Sequence, residues 1–206
     1  ASVAVMVNDS DVKASLSGDA KKEKTIEADG ISVKADNAYN GSAKDSDSDS
    51  TAKTVAVGFA AGAAKFAGSG SVTVNVISQK ADASIGKGNY QAGNQGVDVE
   101  AKNTARLFGL AGGLGINLGG TGIGAAADVQ TYKGHTYASI EDGAKLSKAS
   151  SVRVNAESEE ELTSVAATIA TGDTFAGAGA AGLHVISTDT KAYIGNQEDK
   201  DVTDAG

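Results

Sequence analysis

The 206-residue chain repeats itself. No other feature constrains it as much, because a unit of some fifty residues that cannot make a core alone must bury its apolar face against neighbouring copies. Residues 54–78 align without gaps to 106–130 and to 163–187, sharing Gly68/Gly120/Gly177, Gly70/Gly122/Gly179, the apolar Phe66/Leu118/Phe175 and the apolar Ile77/Val129/Ile186. A second block follows each first one, as Ala83-Ser84-Ile85, Ala138-Ser139-Ile140 and Ala192-Tyr193-Ile194. A third block opens at Gly30, Gly96 and Ser151 and closes at Ala35, Ala101 and Ala156. Residues 2–16 superpose on 71–85 at a constant offset of 69, so the N-terminus is a copy entered halfway. Equivalent glycines give repeats of 52 residues, Gly70 to Gly122, and 57, Gly122 to Gly179. The copies therefore run approximately over 1–69, 70–121, 122–178 and 179–206, the last one partial.

Within the blocks apolar residues alternate, as in Val72, Val74, Val76 and in Val97, Val99, Ala101. A period of two places each set on one face of a strand, and both are expected to face inward. The acidic run Ser158-Glu159-Glu160-Glu161-Leu162 has the length of a single helical turn, but its β-branched neighbours and nearby Gly residues favour a loop. Stacking three or four short strands per copy at the roughly 4.8 Å sheet spacing gives an all-β fold, a parallel β-helix or β-solenoid built from repeats of about 55 residues. Gly and Ala tracts fit a narrow interior that admits only small side chains. Residues 40–53 have no counterpart in the other copies and are expected to form a surface loop. Asn8, where the other copies carry an aliphatic residue, is a second irregularity of the first copy.

Composition agrees with a thin core: aromatic residues are 4%, Gly numbers 27, and Pro, Cys and Trp are absent. The formal charge of −8 with no basic stripe argues against nucleic acid or an anionic membrane as partner. Zero Cys removes disulfides and thiolate metal sites. No apolar run reaches the roughly 18 to 20 residues of a membrane-crossing helix, so this segment is not expected to insert into a membrane. The chain opens at Ala1 without a charged and apolar leader and stops in mid-pattern, which reads as an excised fragment with any targeting signals lying elsewhere.

Motifs with chemical content dissolve on inspection. Residues 177–182 spell G-x-G-x-x-G, but a dinucleotide site needs a strand before and a helix after, whereas an apolar strand pattern follows here, so the glycines read as turn and packing. Gly86-Lys87-Gly88 lacks the remainder of a phosphate loop and reads as a turn. Asp45, Asp47 and Asp49 alternate with Ser without the Gly or closing Glu of a calcium loop, which favours a solvated segment. His184 is expected to point to solvent between inward Leu183 and Val185, and His135 to sit in a turn. No catalytic, cofactor-binding or metal-ligating residues are expected, and no cofactor. A polysaccharide-active enzyme on a β-helix needs gathered carboxylates and stacking rings, which so few aromatics do not supply.

Ser71-Val72-Thr73-Val74-Asn75-Val76-Ile77, Thr190-Lys191-Ala192-Tyr193-Ile194-Gly195 and the Ala/Gly tracts between them resemble repeats of fusobacterial leukotoxin and of very large haemagglutinin-like filamentous adhesins of Gram-negative bacteria. The resemblance implies an exported passenger with a β-helical stalk, secreted or held at the cell surface. Its expected role is a non-catalytic structural or adhesive segment that meets a host or bacterial cell-surface protein or glycan. A cytotoxin segment acting on host cells is the alternative.

Overall fold

The computed structural model describes residues 1–18, 24–39 and 52–195, and among them the chain is all-β, without a helix. The strands are β1 Ser2–Leu16, β2 Thr25–Tyr39, β3 Ala52–Gly62, β4 Phe66–Ile85, β5 Gly88–Asn117, β6 Thr121–Ile140, β7 Ala144–Ser147, β8 Val152–Thr171 and β9 Phe175–Ile194. They form two sheets of parallel strands. The first has the order β1-β4-β6-β9; in the second, β5 is flanked by β2 and β3 on one side and by β7 and β8 on the other. Ala52 and Lys53 belong to β3, so the expected loop is shorter than 40–53 at its end, and its remainder, with Asp45, Asp47 and Asp49, lies outside the described residues.

The chain runs along the first sheet, turns, and returns along the second, whose inner face packs on the first. Gly86 and Lys87 connect β4 to β5 as a turn. Leu118 to Gly120 connect β5 to β6, where the Asn117 amide donates to the Thr121 carbonyl at 2.9 Å and its carbonyl accepts from the Gly119 N–H at 3.0 Å. An Asn at this place closes a turn that backbone groups alone would leave unpaired.

Pairing register corrects the alignment of the first block. The strands β1 and β4 pair at the sequence offset of 69, Ser2 opposite Ser71, and the second and third blocks stack as aligned, Ala83 on Ala138 on Ala192 and Val97 on Val152. Gly68, however, pairs with Ile123 and Gly70 with Ala125, three residues beyond Gly120 and Gly122. The gapless alignment threads the turn residues Leu118 to Gly120 into the strand. A shift of three is odd, so it exchanges the faces: Ile77 lies opposite the buried Tyr132, and Val129 points outward.

The valine rows are corrected with it. Burial along β4 alternates with Ser71, Thr73, Asn75, Ile77 and Gln79 inside and Val72, Val74 and Val76 outside. On β1 the outward Val5 is 62% exposed. The cause is the distance between the sheets. Facing sheets ordinarily stand about 10 Å apart, but a Cβ added to Gly113 would lie 2.9 Å from the Ala125 carbonyl oxygen, and one added to Gly58 would meet the backbone of Gly70 more closely still. This narrow half admits Gly, Ala and hydrogen-bonded polar residues and excludes Val.

In the wide half the sheets separate, and the apolar core collects there. Ile85, Tyr90, Val97, Val99 and Ile140 are buried together. Tyr90 is the largest of these; its hydroxyl donates to the Gly86 carbonyl at 2.8 Å, which ties the core to the turn. The acidic run expected as a loop is part of β8. Its outward Glu157 and Glu161 meet Lys102 at 2.9 Å and Arg106 at 3.6 Å on β5, so cross-strand pairs compensate these charges within a regular strand.

These faces give a paired test. Val99 is fully buried, and Val99→Asp is expected to cost several kcal/mol by placing a charge in the core. Val74→Asp, which carries the same change on the outer face, should cost about 1 kcal/mol or less. Urea unfolding of both variants checks this, and equal losses would contradict the assignment of faces.

Candidate functional surface

Inside the narrow half lies one buried ionisable group, Asp128. Its carboxylate accepts hydrogen bonds from the Thr73 and Ser164 hydroxyls and, at 2.8 Å, from the Gln130 amide. Gly109 stands opposite because a Cβ there would overlap the carboxylate. Thr54 donates to the Asn75 side chain two residues along the same layer. Donors on three sides hold this carboxylate without a cation, and its full burial keeps it from any substrate. It is a packing device, and the surface is where chemistry is accessible.

Because the strands are parallel and in register, outward residues of successive copies form rows. In the wide half of the first sheet the rows are polar: Asp9, Ser78, Lys133, Ser187; Asp11, Lys80, His135, Asp189; Lys13, Asp82, Tyr137, Lys191; and Ser15, Ser84, Ser139, Tyr193. The Tyr137 hydroxyl donates to the Asp189 carboxylate. Lys191 stands 5.5 Å from the centre of the Tyr137 ring and 3.3 Å from Asp189, and the His135 ring meets Tyr137 edge-on at 6.0 Å. A shallow depression lies beside this cluster, lined by Lys13, Asp82, Ser84, Tyr137, Glu141 and Tyr193. Two ring edges, hydroxyls and charges of both signs at one place suit recognition of a polar, ring-bearing ligand.

In the narrow half the outer rows carry no charge on the first sheet. Val3, Val72, Ala127, Ala181 form one row, Val5, Val74, Val129, Leu183 the next, and Val7, Val76, Thr131, Val185 the third. The outer face of the second sheet has a similar apolar band, with Val55, Leu110, Val165 and Phe59, Leu114, Ile169.

The two histidines occupy places other than those expected. His184 shares the inward row of Asn75 and Gln130, while Leu183 and Val185 point outward; it is nonetheless exposed, since β9 ends the stack of described strands. His135 is in the middle of β6, exposed, and not in a turn. Gly134, which suggested the turn, makes room for the inward Tyr132 ring, 2.8 Å from where its Cβ would stand. Residues 177–182 lie within β9, with neither a turn nor a following helix. Among the described residues no three His, Cys, Asp or Glu side chains gather in a way that holds a metal ion. No helix among them is long and apolar enough to cross a membrane. The polar rows escaped the sequence reading, although Lys133, His135, Tyr137 and Asp189, Lys191, Tyr193 repeat with period two.

Comparison with protein-family models, with curated proteins and with solved structures finds no match to this chain.

The Tyr137–Asp189 bond has a readable signature. The bond and then partial burial push the Tyr137 phenol up to about 12, and the same bond holds the Asp189 carboxyl below its usual range. A depressed carboxyl pKa stabilises the folded state above the ordinary carboxylate range, and the contribution is lost as pH falls through the folded value. Tyr137→Phe is expected to raise the Asp189 pKa toward normal in an NMR titration, and Asp189→Asn to return phenol ionisation toward 10 in ultraviolet absorbance. An unmoved Asp189 would show that the bond does not form in solution.

Proposed function

We infer that this chain is a stretch of parallel β-solenoid that serves as a non-catalytic structural and adhesive segment of a large exported bacterial protein. One observation supports this reading above the others. Successive copies pair at offsets of 55 and 54, as Phe66 on Thr121 and Thr121 on Phe175, so each copy supplies one circuit of both sheets and the next circuit lies directly on it. A unit of this kind extends without altering its cross-section. Its outer rows are free to carry recognition chemistry while glycines, small polar residues and the apolar core keep the inside constant.

The partner class that suits the polar rows is a host or bacterial cell-surface glycan or protein. Tyr137 and Tyr193 offer ring edges and hydroxyls, and Asp82, Lys191 and Ser84 offer hydrogen bonds around them. Resemblance to leukotoxin and haemagglutinin-like repeats supports the same setting, a segment secreted or displayed at the surface of a Gram-negative cell. The alternative, a toxin segment acting on host membranes, draws on the uncharged outer rows of the narrow half. Against it, the adjoining rows of the same sheet carry Asp11, Lys80, Asp82, Lys133 and Asp189, charges that are costly to bring beside hydrocarbon.

Labelled chain is expected to bind cultured host cells or a glycan array saturably, and Tyr137→Ala with Tyr193→Ala to weaken that binding roughly tenfold while melting falls only slightly. Leakage from liposomes at concentrations that give no cell binding would favour the toxin reading instead.

A further inference from the structure

The uncharged outer face of the first sheet has relief as well as apolarity. A trough runs across the strands along Gly70, Ala125 and Gly179, where a Cβ on Gly179 would meet nothing and one on Gly70 would meet only the Ala125 carbonyl oxygen at 3.9 Å. The trough is a shallow depression with almost entirely apolar walls, which Val3 and Val72 close on one side. Beyond it on that side stands a ridge, Val74, Val129 and Leu183, two rows away. On the other side stand Phe66 and Phe175, whose rings lean over Gly68 and Gly177, with Ile123 between them.

A ridge and a trough separated by a single row are reciprocal under one operation. Consider a two-fold axis in the plane of the face, directed across the strands along the row of Val72, Ala127 and Ala181. It turns a second copy face to face with the first, its strands antiparallel to them, and exchanges the rows on either side of the axis. The Val74–Val129–Leu183 ridge of each copy then enters the Gly70–Ala125–Gly179 trough of the other, and the axial row, half alanine, packs on itself. This is the self-complementary geometry of an isologous dimer.

The area is sufficient. Five uncharged rows, from Gly68 to Val76 along β4, lie symmetrically about that axis and cross three strands, and β1 adds Val3 and Val5. At about 3.3 Å per residue and about 4.8 Å between strands, this face covers roughly 540 Å². Two copies together bury roughly 1,100 Å², which clears the roughly 1,000 Å² expected of a specific interface. Lipid is a poorer occupant, because the next row, with Asp9 and Lys133, would be drawn toward hydrocarbon.

We propose that the narrow half of the first sheet is a self-association surface, through which two copies of this chain pack face to face with ridge in trough. The proposal does not depend on the adhesive reading, since the polar rows lie outside the contact.

Analytical ultracentrifugation of the chain between about 1 and 100 µM tests it. The expected result is a monomer–dimer equilibrium. Gly70→Val with Gly179→Val fills the trough where the single chain has room and should raise the dissociation constant at least tenfold without lowering the melting temperature. Val74→Asp should do the same by charging the ridge, and Lys53→Glu, on the outer face of the second sheet, should leave association unchanged. A chain that stays monomeric throughout would overturn the proposal, as would a dimer indifferent to both the trough and ridge variants. Monomeric chain that co-sediments with zwitterionic phosphatidylcholine vesicles, and loses this with Val74→Asp, would also overturn it and assign the face to lipid.

Discussion

Everything in this fold depends on how closely two backbones can lie when no side chain stands between them. Gly58 against Gly70 and Gly113 against Ala125 bring the sheets together at one end. Once they are that close, the residues between them must be small, their polar groups must find partners within the layer, and larger apolar residues must go elsewhere. Asp128 with Thr73, Ser164 and Gln130 meets the second requirement, and Tyr90 with Val97 and Val99 in the wide half meets the third. The valines that do not fit inside become the outer face. A buried network of this sort is stable only when its members are satisfied together, so the narrow half is specified by hydrogen bonding and the wide half by apolar burial.

How much of this was legible in the sequence follows from the same division. The second and third blocks stack as their alignment indicates because Ile85, Ile140 and Val97, Val152 are large, and large residues in a wide interior announce their face. The first block is written in Gly and Ala, which align to one another at several offsets, and the offset chosen was three residues from the true pairing. The direction of Val72, Val74 and Val76 was misread for a physical reason. Alternation reveals that a strand has two faces, and the usual assumption sends the apolar one inward. Here Thr73 and Asn75 are inside because of what lies opposite, a glycine-lined strand distant in sequence.

The candidate surface was legible only in part. The sequence contains the alternation of Lys133, His135 and Tyr137, but Gly134 among them resembled a turn. In the structure that glycine accommodates the inward Tyr132 ring, so the misreading came from a side chain on the opposite face of the same strand. The grouping of Tyr137 with Asp189 and Lys191 depends on β6 and β9 pairing at an offset of 54, which no local pattern contains. The acidic run of β8 is a further case: it read as a loop, yet Glu157, Glu159 and Glu161 form a regular outer row beside Lys102 and Arg106 on the adjacent strand, while Glu160 lies on the inner row beside the buried Ala105.

The direction of the hydrogen bonds has a mechanical consequence. Strands of the two sheets lie across the axis along which copies are added, so backbone bonds between β4 and β6 or between β5 and β8 point along that axis. Tension applied along the stack is shared by the long ladder between one circuit and the next, and no single bond opens before its neighbours. Tension in the same direction that falls on one end of a strand alone meets the bonds one after another and peels them. The molecule is accordingly a rope when load is spread over its cross-section and a zipper when load falls on one corner.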